Sequence, residues 1–133
     1  LLSGDHVLPT ITPHISGLGA DPDPLASFFR SLDLCAALEG VTKTLPAHGH
    51  PFDDLPGRVK AIKEHHAERI AMLRAASAEL GWANVVDLSK KIFQPRVWGS
   101  MAESETFAHL EHLVQLGEAE RRGSEATLEY LLN

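Results

Sequence analysis

Apolar side chains recur at helical spacing in several stretches of this sequence and alternate in one. The longest stripe is Val59, Ile62, His66, Ile70, Leu73, Ser77 and Leu80, with Arg58, Lys60, Lys63, Glu64, Glu68 and Arg69 mostly off it. That is the pattern of a helix with one buried face, bounded by Asp54 ahead and Gly81 behind. Upstream, Asp23-Pro24 supplies a capping carboxylate and a first-turn proline. Leu25, Phe28, Phe29, Leu32, Cys35, Ala36 and Leu38 follow at helical spacing until Gly40. Asn84 is placed to cap a short helix through Val85, Val86, Leu88, Ile92 and Phe93, which Pro95 ends. Ser100 or Ser104 is placed to cap another, with Phe107, Leu110, Leu113, Val114 and Leu116 apolar and Gly117 closing it. Residues 1–4 read as the end of a buried strand, and Val41 to Leu45, closed by Pro46, as a second. Glu118 to Arg122 and Ala126 to Leu132 flank a turn at Arg122-Gly123-Ser124, and Leu128, Tyr130 and Leu132 alternate as in a hairpin. Between the first strand and first helix, Pro9 to Asp23 holds too many Gly and Pro residues for a regular element.

Two domains follow from this order. Residues 1–57 read as part of an α/β domain. Residues 58–133 run helix, helix, helix, hairpin, the order of a winged helix. The 133 residues are 44% apolar and 23% charged, the composition of a water-soluble globular chain. No window reaches the ~20 apolar residues of a membrane span. The single cysteine, Cys35, has no partner for an internal disulfide and fits a reducing cytoplasm. It lies in Leu34-Cys35-Ala36 on a predicted helix and reads as a small packed hydrophobe rather than a nucleophile. The chain opens on Leu1-Leu2-Ser3-Gly4-Asp5, with neither Met nor signal peptide, and reads as a fragment cut inside a strand.

Two predicted strands run into residues that can hold a metal. Ser3-Gly4-Asp5-His6 follows the first and Pro46-Ala47-His48-Gly49-His50 the second, so a carboxylate and an imidazole stand at two strand ends. Both are suitable ligands for zinc and related divalent ions. Ser3-Gly4-Asp5-His6-Val7-Leu8, with Leu45-Pro46-Ala47-His48-Gly49 downstream, resembles the last two ligand motifs of the metallo-β-lactamase superfamily. The region from Arg58 to Leu80, with its His65-His66 pair and Arg69, and the elements after it resemble the C-terminal winged helix of one branch. That branch includes lactamase-β-2-like proteins and relatives of hydroxyacylglutathione hydrolase. The resemblance implies the second half of an αββα sandwich followed by a winged-helix domain. It implies two zinc ions in the intact protein, with Asp5 bridging them as the catalytic carboxylate and His48 completing one shell. The family's His-x-His-x-Asp-His cluster and its next His ligand are absent from this sequence. A catalytic zinc keeps three protein ligands and an open position, so this chain alone is expected to be inactive, with metal absent or partial.

The other histidines divide by position. His6, beside Asp5, and His14, in Thr12-Pro13-His14-Ile15-Ser16 on the irregular segment, are candidate substrate contacts. His66 falls on the apolar stripe and reads as a core histidine. His109 and His112, three apart on a predicted helix without carboxylate or thiol company, read as an exposed pair. The net charge of −6 argues against nucleic acid, since phosphate binding needs a surplus of Lys and Arg. Residues 83–133 are acidic on balance, with Glu on the third helix, which suits a wall of the site or a protein interface better than a groove reader. A small ester or thioester is the expected substrate. The alternatives are a winged-helix interaction or dimerisation module, and a metal-dependent ribonuclease of the lactamase-β-2-like type. Unpaired strand edges in a fragment favour self-association, a homodimer among its forms.

Overall fold

The apolar stripes become helices where the sequence places them, and their caps explain most of the boundaries. The computed structural model describes residues 1–133. Helix α1 spans Pro24–Ala36, α2 Leu55–Leu80, α3 Val85–Ile92 and α4 Ser100–Gln115. Asp23 caps α1 by accepting the Ala26 N–H at 3.0 Å. Asp54 accepts the Gly57 N–H at 2.9 Å at the start of α2, and Asn84 accepts the Asp87 N–H at 2.8 Å ahead of α3. Gly81 and Gly117 follow α2 and α4 with φ of 68° and 73°. Such left-handed residues let a helix stop by turning its last carbonyls to new donors.

Strands β1, Leu2–Gly4, and β2, Leu45–Pro46, pair in parallel, Leu2 with Leu45 and Gly4 with Pro46. The second strand is shorter than Val41 to Leu45 would give. Only β1 lies alongside it, and Thr44 instead exchanges two backbone hydrogen bonds with Phe52, at 2.7 and 3.1 Å. A strand persists only where a neighbour pairs with its backbone groups; the Lys43 carbonyl accepts from the Leu1 amino group at 3.0 Å, and Val41 and Thr42 stay irregular.

The C-terminal hairpin is β4, Ala119–Arg122, and β5, Glu129–Leu132, antiparallel with Ala119 opposite Leu132 and Arg122 opposite Glu129. A third strand, β3, Ala83–Asn84, joins the far side of β5, giving the order β3-β5-β4. The turn carries a 3-10 segment, Glu125–Thr127, with Ser124 and Thr127 in a capping box. Neither Ser100 nor Ser104 caps α4. Gly99 occupies that place, and the Ser104 hydroxyl sits 3.0 Å from that of Ser16, used for a tertiary bond rather than a cap.

The chain packs as two compact units, residues 1–14 with 27–67 and residues 15–26 with 68–133. In the first, Val7, Leu8, Phe28, Leu32, Leu55, Val59 and Ile62 are buried. His66 is buried too, its ring edge-on to Phe28 and Phe29 at centroid distances of 5.8 and 5.5 Å, as a core histidine should be. In the second, Leu73, Ala76, Ala83, Leu88, Ile92, Leu110 and Tyr130 form one core. Segment 15–26 packs on α4: a Cβ at Gly17 would stand 2.5 Å from Phe107 Cδ1. His109 and His112 are buried, not exposed. The His109 ring nitrogen Nδ1 bonds the Glu105 carbonyl at 2.7 Å, and His112 Nδ1 lies 3.0 Å from both carboxylate oxygens of Asp23. For His112 the carboxylate comes from the segment before α1; for His109 it is local, Glu105 lying within 4.8 Å one turn earlier on α4. Cys35 is half-buried and free.

Candidate metal centre

Parallel pairing sends β1 and β2 out of the sheet at the same edge, so the residues after them meet. The register is held by Leu45 N–H to the Leu1 carbonyl at 2.8 Å and Ala47 N–H to the Gly4 carbonyl at 2.9 Å. Gly4, at φ 53°, turns the chain at the end of β1. The turn is closed by the His6 N–H on the Ser3 carbonyl at 3.0 Å and the Ser3 hydroxyl on the Val7 carbonyl at 2.8 Å. Asp5 projects from that turn and His48 from the one after β2. Gly49 has φ 85°, and a Cβ there would stand 2.7 Å from Pro9 Cγ. Only glycine combines that backbone with that approach.

The outcome is that His48 Nδ1 lies 2.7 Å from Asp5 Oδ1. The imidazole N–H donates and the carboxylate accepts, which in the neutral ring leaves Nε2 with the lone pair a metal uses. Both side chains stay open to solvent, His48 at 71% and Asp5 at 67%. The donor set suits zinc. It supplies two ligands, fewer than the three a catalytic zinc takes from protein, so the residues present fit as part of a centre.

His6 does not join the pair. Its Nε2 lies 2.9 Å from the Ser31 hydroxyl and its ring stands edge-on to Phe28 at 5.1 Å, so α1 fixes its orientation. His14 and His50 are exposed. Arg58, singled out by the sequence only as a charge off the α2 stripe, donates to the carbonyls of Leu8 and Ile11. It thereby ties down the chain just after the Asp5 turn. Burial lowers its pKa from the ordinary guanidinium value. A long basic side chain beside an irregular segment is a weak signal, and nothing in the spacing of Leu8, Ile11 and Arg58 announces the bonds.

No family model matches the sequence, and no curated protein does. Solved structures do. The chain is similar to a β-lactamase domain protein from Burkholderia ambifaria, at TM-score 0.85 and 31% identity over 98% of this chain and 40% of that one. It is similar also to a metallo-β-lactamase family protein from Thermus thermophilus, at TM-score 0.83 and 32% identity over 99% of this chain and 41% of that one. This chain thus spans about two-fifths of the length of the solved structures it matches. Its α/β fold matches that of metallo-β-lactamase proteins along essentially its whole length.

Proposed function

We propose that this chain is the part of a metal-dependent hydrolase that delivers Asp5 and His48 to a two-zinc centre, Asp5 as the bridging ligand and His48 as a ligand to one ion. The observation that carries this reading is the 2.7 Å approach of the two side chains at one sheet edge, in a fold that matches metallo-β-lactamase proteins. Such a zinc pair supplies Lewis acidity and a water activated near neutral pH. The chain's own contribution is placement. The β1–β2 register and the two glycine turns set the donor atoms, and Arg58 braces the segment leading on from Asp5. His6, held by Ser31 and Phe28, and the exposed His14 are the substrate contacts in this reading. The substrate is a small ester or thioester. The remaining ligands belong to a His-x-His-x-Asp-His segment outside this sequence, and without them the chain has no activity and at most a partial metal site.

Residues 58–133 form a winged-helix domain in this reading, after the sandwich segment of residues 1–57. The arrangement of β3-β5-β4 beside α3 and α4 supports that assignment and favours a second reading, a winged-helix interaction module with no catalytic part. Zinc content and thioester hydrolysis separate the two in a preparation carrying the upstream segment. Asp5→Ala and His48→Ala are each expected to lower zinc occupancy and cut the rate about 100-fold or more, since even groups that only orient a ligand are worth 10–100-fold. Full activity in Asp5→Ala would overturn the hydrolase reading.

A further inference from the structure

Eight consecutive residues, Gln94 to Met101, are all exposed, although they include Val97 at 49%, Trp98 at 44% and Met101 at 66% exposure. A soluble surface rarely shows a Trp and two aliphatic side chains together without a use for them. The segment is ordered. Trp98 Nε1 donates to the Phe93 carbonyl at 2.9 Å, and Lys90 lies over the indole at 5.4 Å. Arg96, in the same ridge, makes no ion pair.

Beside this ridge the same unit carries an open groove of about 1030 Å³. Its lining includes the apolar Leu18, Val86, Phe107 and Leu128 and the carboxylates Glu103 and Glu125. Neither carboxylate has a cation partner. The groove is therefore an apolar slot with unneutralised negative charge, and the ridge is an apolar knob with unneutralised positive charge. The two adjoin. Val86, in the groove, and Lys90, over Trp98, are one turn apart on α3, and Ser100 belongs to both ridge and groove.

We propose that the occupant of the groove is the Arg96–Met101 ridge of a second copy of this chain, in a two-fold dimer. Because knob and slot are contiguous, a single two-fold axis near Ser100 seats both ridges at once. Such an isologous contact closes on itself and leaves no free end to grow. Trp98 and Val97 enter between Leu18, Val86, Phe107 and Leu128, and Arg96 meets Glu103 and Glu125. A central aromatic anchor with opposite charges around it is the arrangement that carries most binding energy in protein interfaces. No residue of this surface is a proposed metal ligand.

The test is sedimentation-equilibrium measurement of the dimer constant for the 133-residue chain, for a longer chain carrying the upstream segment of the proposed function, and for the variants of both, with circular dichroism confirming the fold. Trp98→Ala and, independently of the indole hydrogen bond, Val97→Asp should each weaken the dimer about tenfold or more. Arg96→Glu and Glu103→Arg should each weaken it alone. A mixture of those two variants should restore it, because each interface half then pairs Arg with Glu again. Leu2→Lys, on the exposed face of β1, should change nothing. A chain that is monomeric throughout, a dimer lost on Leu2→Lys but not on Val97→Asp, or a mixture that fails to recover would each overturn the proposal. A monomer whose groove binds a basic amphipathic peptide would overturn it as well, assigning the slot to a foreign partner.

Discussion

Tyr130 is fully buried, and its hydroxyl donates to Glu111 Oε1 at 2.7 Å while Arg121 donates to Oε2 at 2.6 Å. Three side chains thereby tie β5, α4 and β4 together through one carboxylate. Burial, and then the bond to Glu111, push the phenol pKa up from 10.0. A raised folded-state pKa means that this stability is complete below the unfolded value and is lost as pH climbs past it. Stability should therefore fall above about pH 10. Tyr130→Phe should cost about 1.5–3 kcal/mol at neutral pH, the worth of a hydrogen bond to a charged group, and should lack that part of the alkaline decline. Urea unfolding of both proteins at neutral and alkaline pH measures the two effects; identical alkaline slopes would contradict the assignment. Gly17 offers a second check at this scale. A Cβ there would press on Phe107 at 2.5 Å and on the Ala108 backbone at 3.0 Å, so Gly17→Ala should lose about 1–3 kcal/mol from overpacking.

At the scale of elements, Asp23 serves two of them. It caps α1 through the Ala26 N–H and receives His112 of α4. Asp23→Ala should remove a cap worth about 1 kcal/mol together with the His112 contact, and Asp23→Asn, which keeps both acceptor positions in part, should cost less. A thermal-melt series of the two variants against the parent checks the order, and equal losses would mean that the cap carries no weight. The cap itself is legible in Asp23-Pro24, as are Asn84, Gly81 and Gly117, because capping is decided within a turn of the residue concerned. The partnership with His112 is not legible, since 89 positions separate the two; the pair His109 and His112 reads as exposed for that reason. The same division explains the strands. Val41 to Leu45 has strand propensity, but pairing depends on what lies beside it, and β3 is too short to show a pattern. In the candidate metal centre, the residue types after the two strand ends are legible in Asp5 and His48. The turn of His6 toward Ser31 and the bracing by Arg58 come from packing that spacing alone does not reveal.

Over the whole molecule, charge gives a test between the proposed small ester and RNA as substrate. The chain carries −6, and in the second unit most basic side chains are already engaged. Arg74 pairs with Glu118, Lys91 with Glu79, Arg121 with Glu111 and Arg122 with Glu129, while Arg69 stacks on Phe93 at 4.2 Å. A phosphate backbone would have to displace these carboxylates, and Glu103 and Glu105 on α4 would repel it in the place where a groove-reading helix needs attraction. Phosphate-driven binding releases counterions and so weakens steeply as salt rises. The chain should therefore give no retardation of single- or double-stranded RNA at about 0.15 M salt, and only a shallow salt dependence below it. Electrophoretic mobility shifts across a salt series read this directly. Tight binding with a steep salt slope would show several phosphate contacts and would move the ribonuclease reading ahead of the ester one. A flat, weak response leaves the acidic unit as a protein-facing surface, which is the role its acidic balance and exposed Trp98 ridge favour.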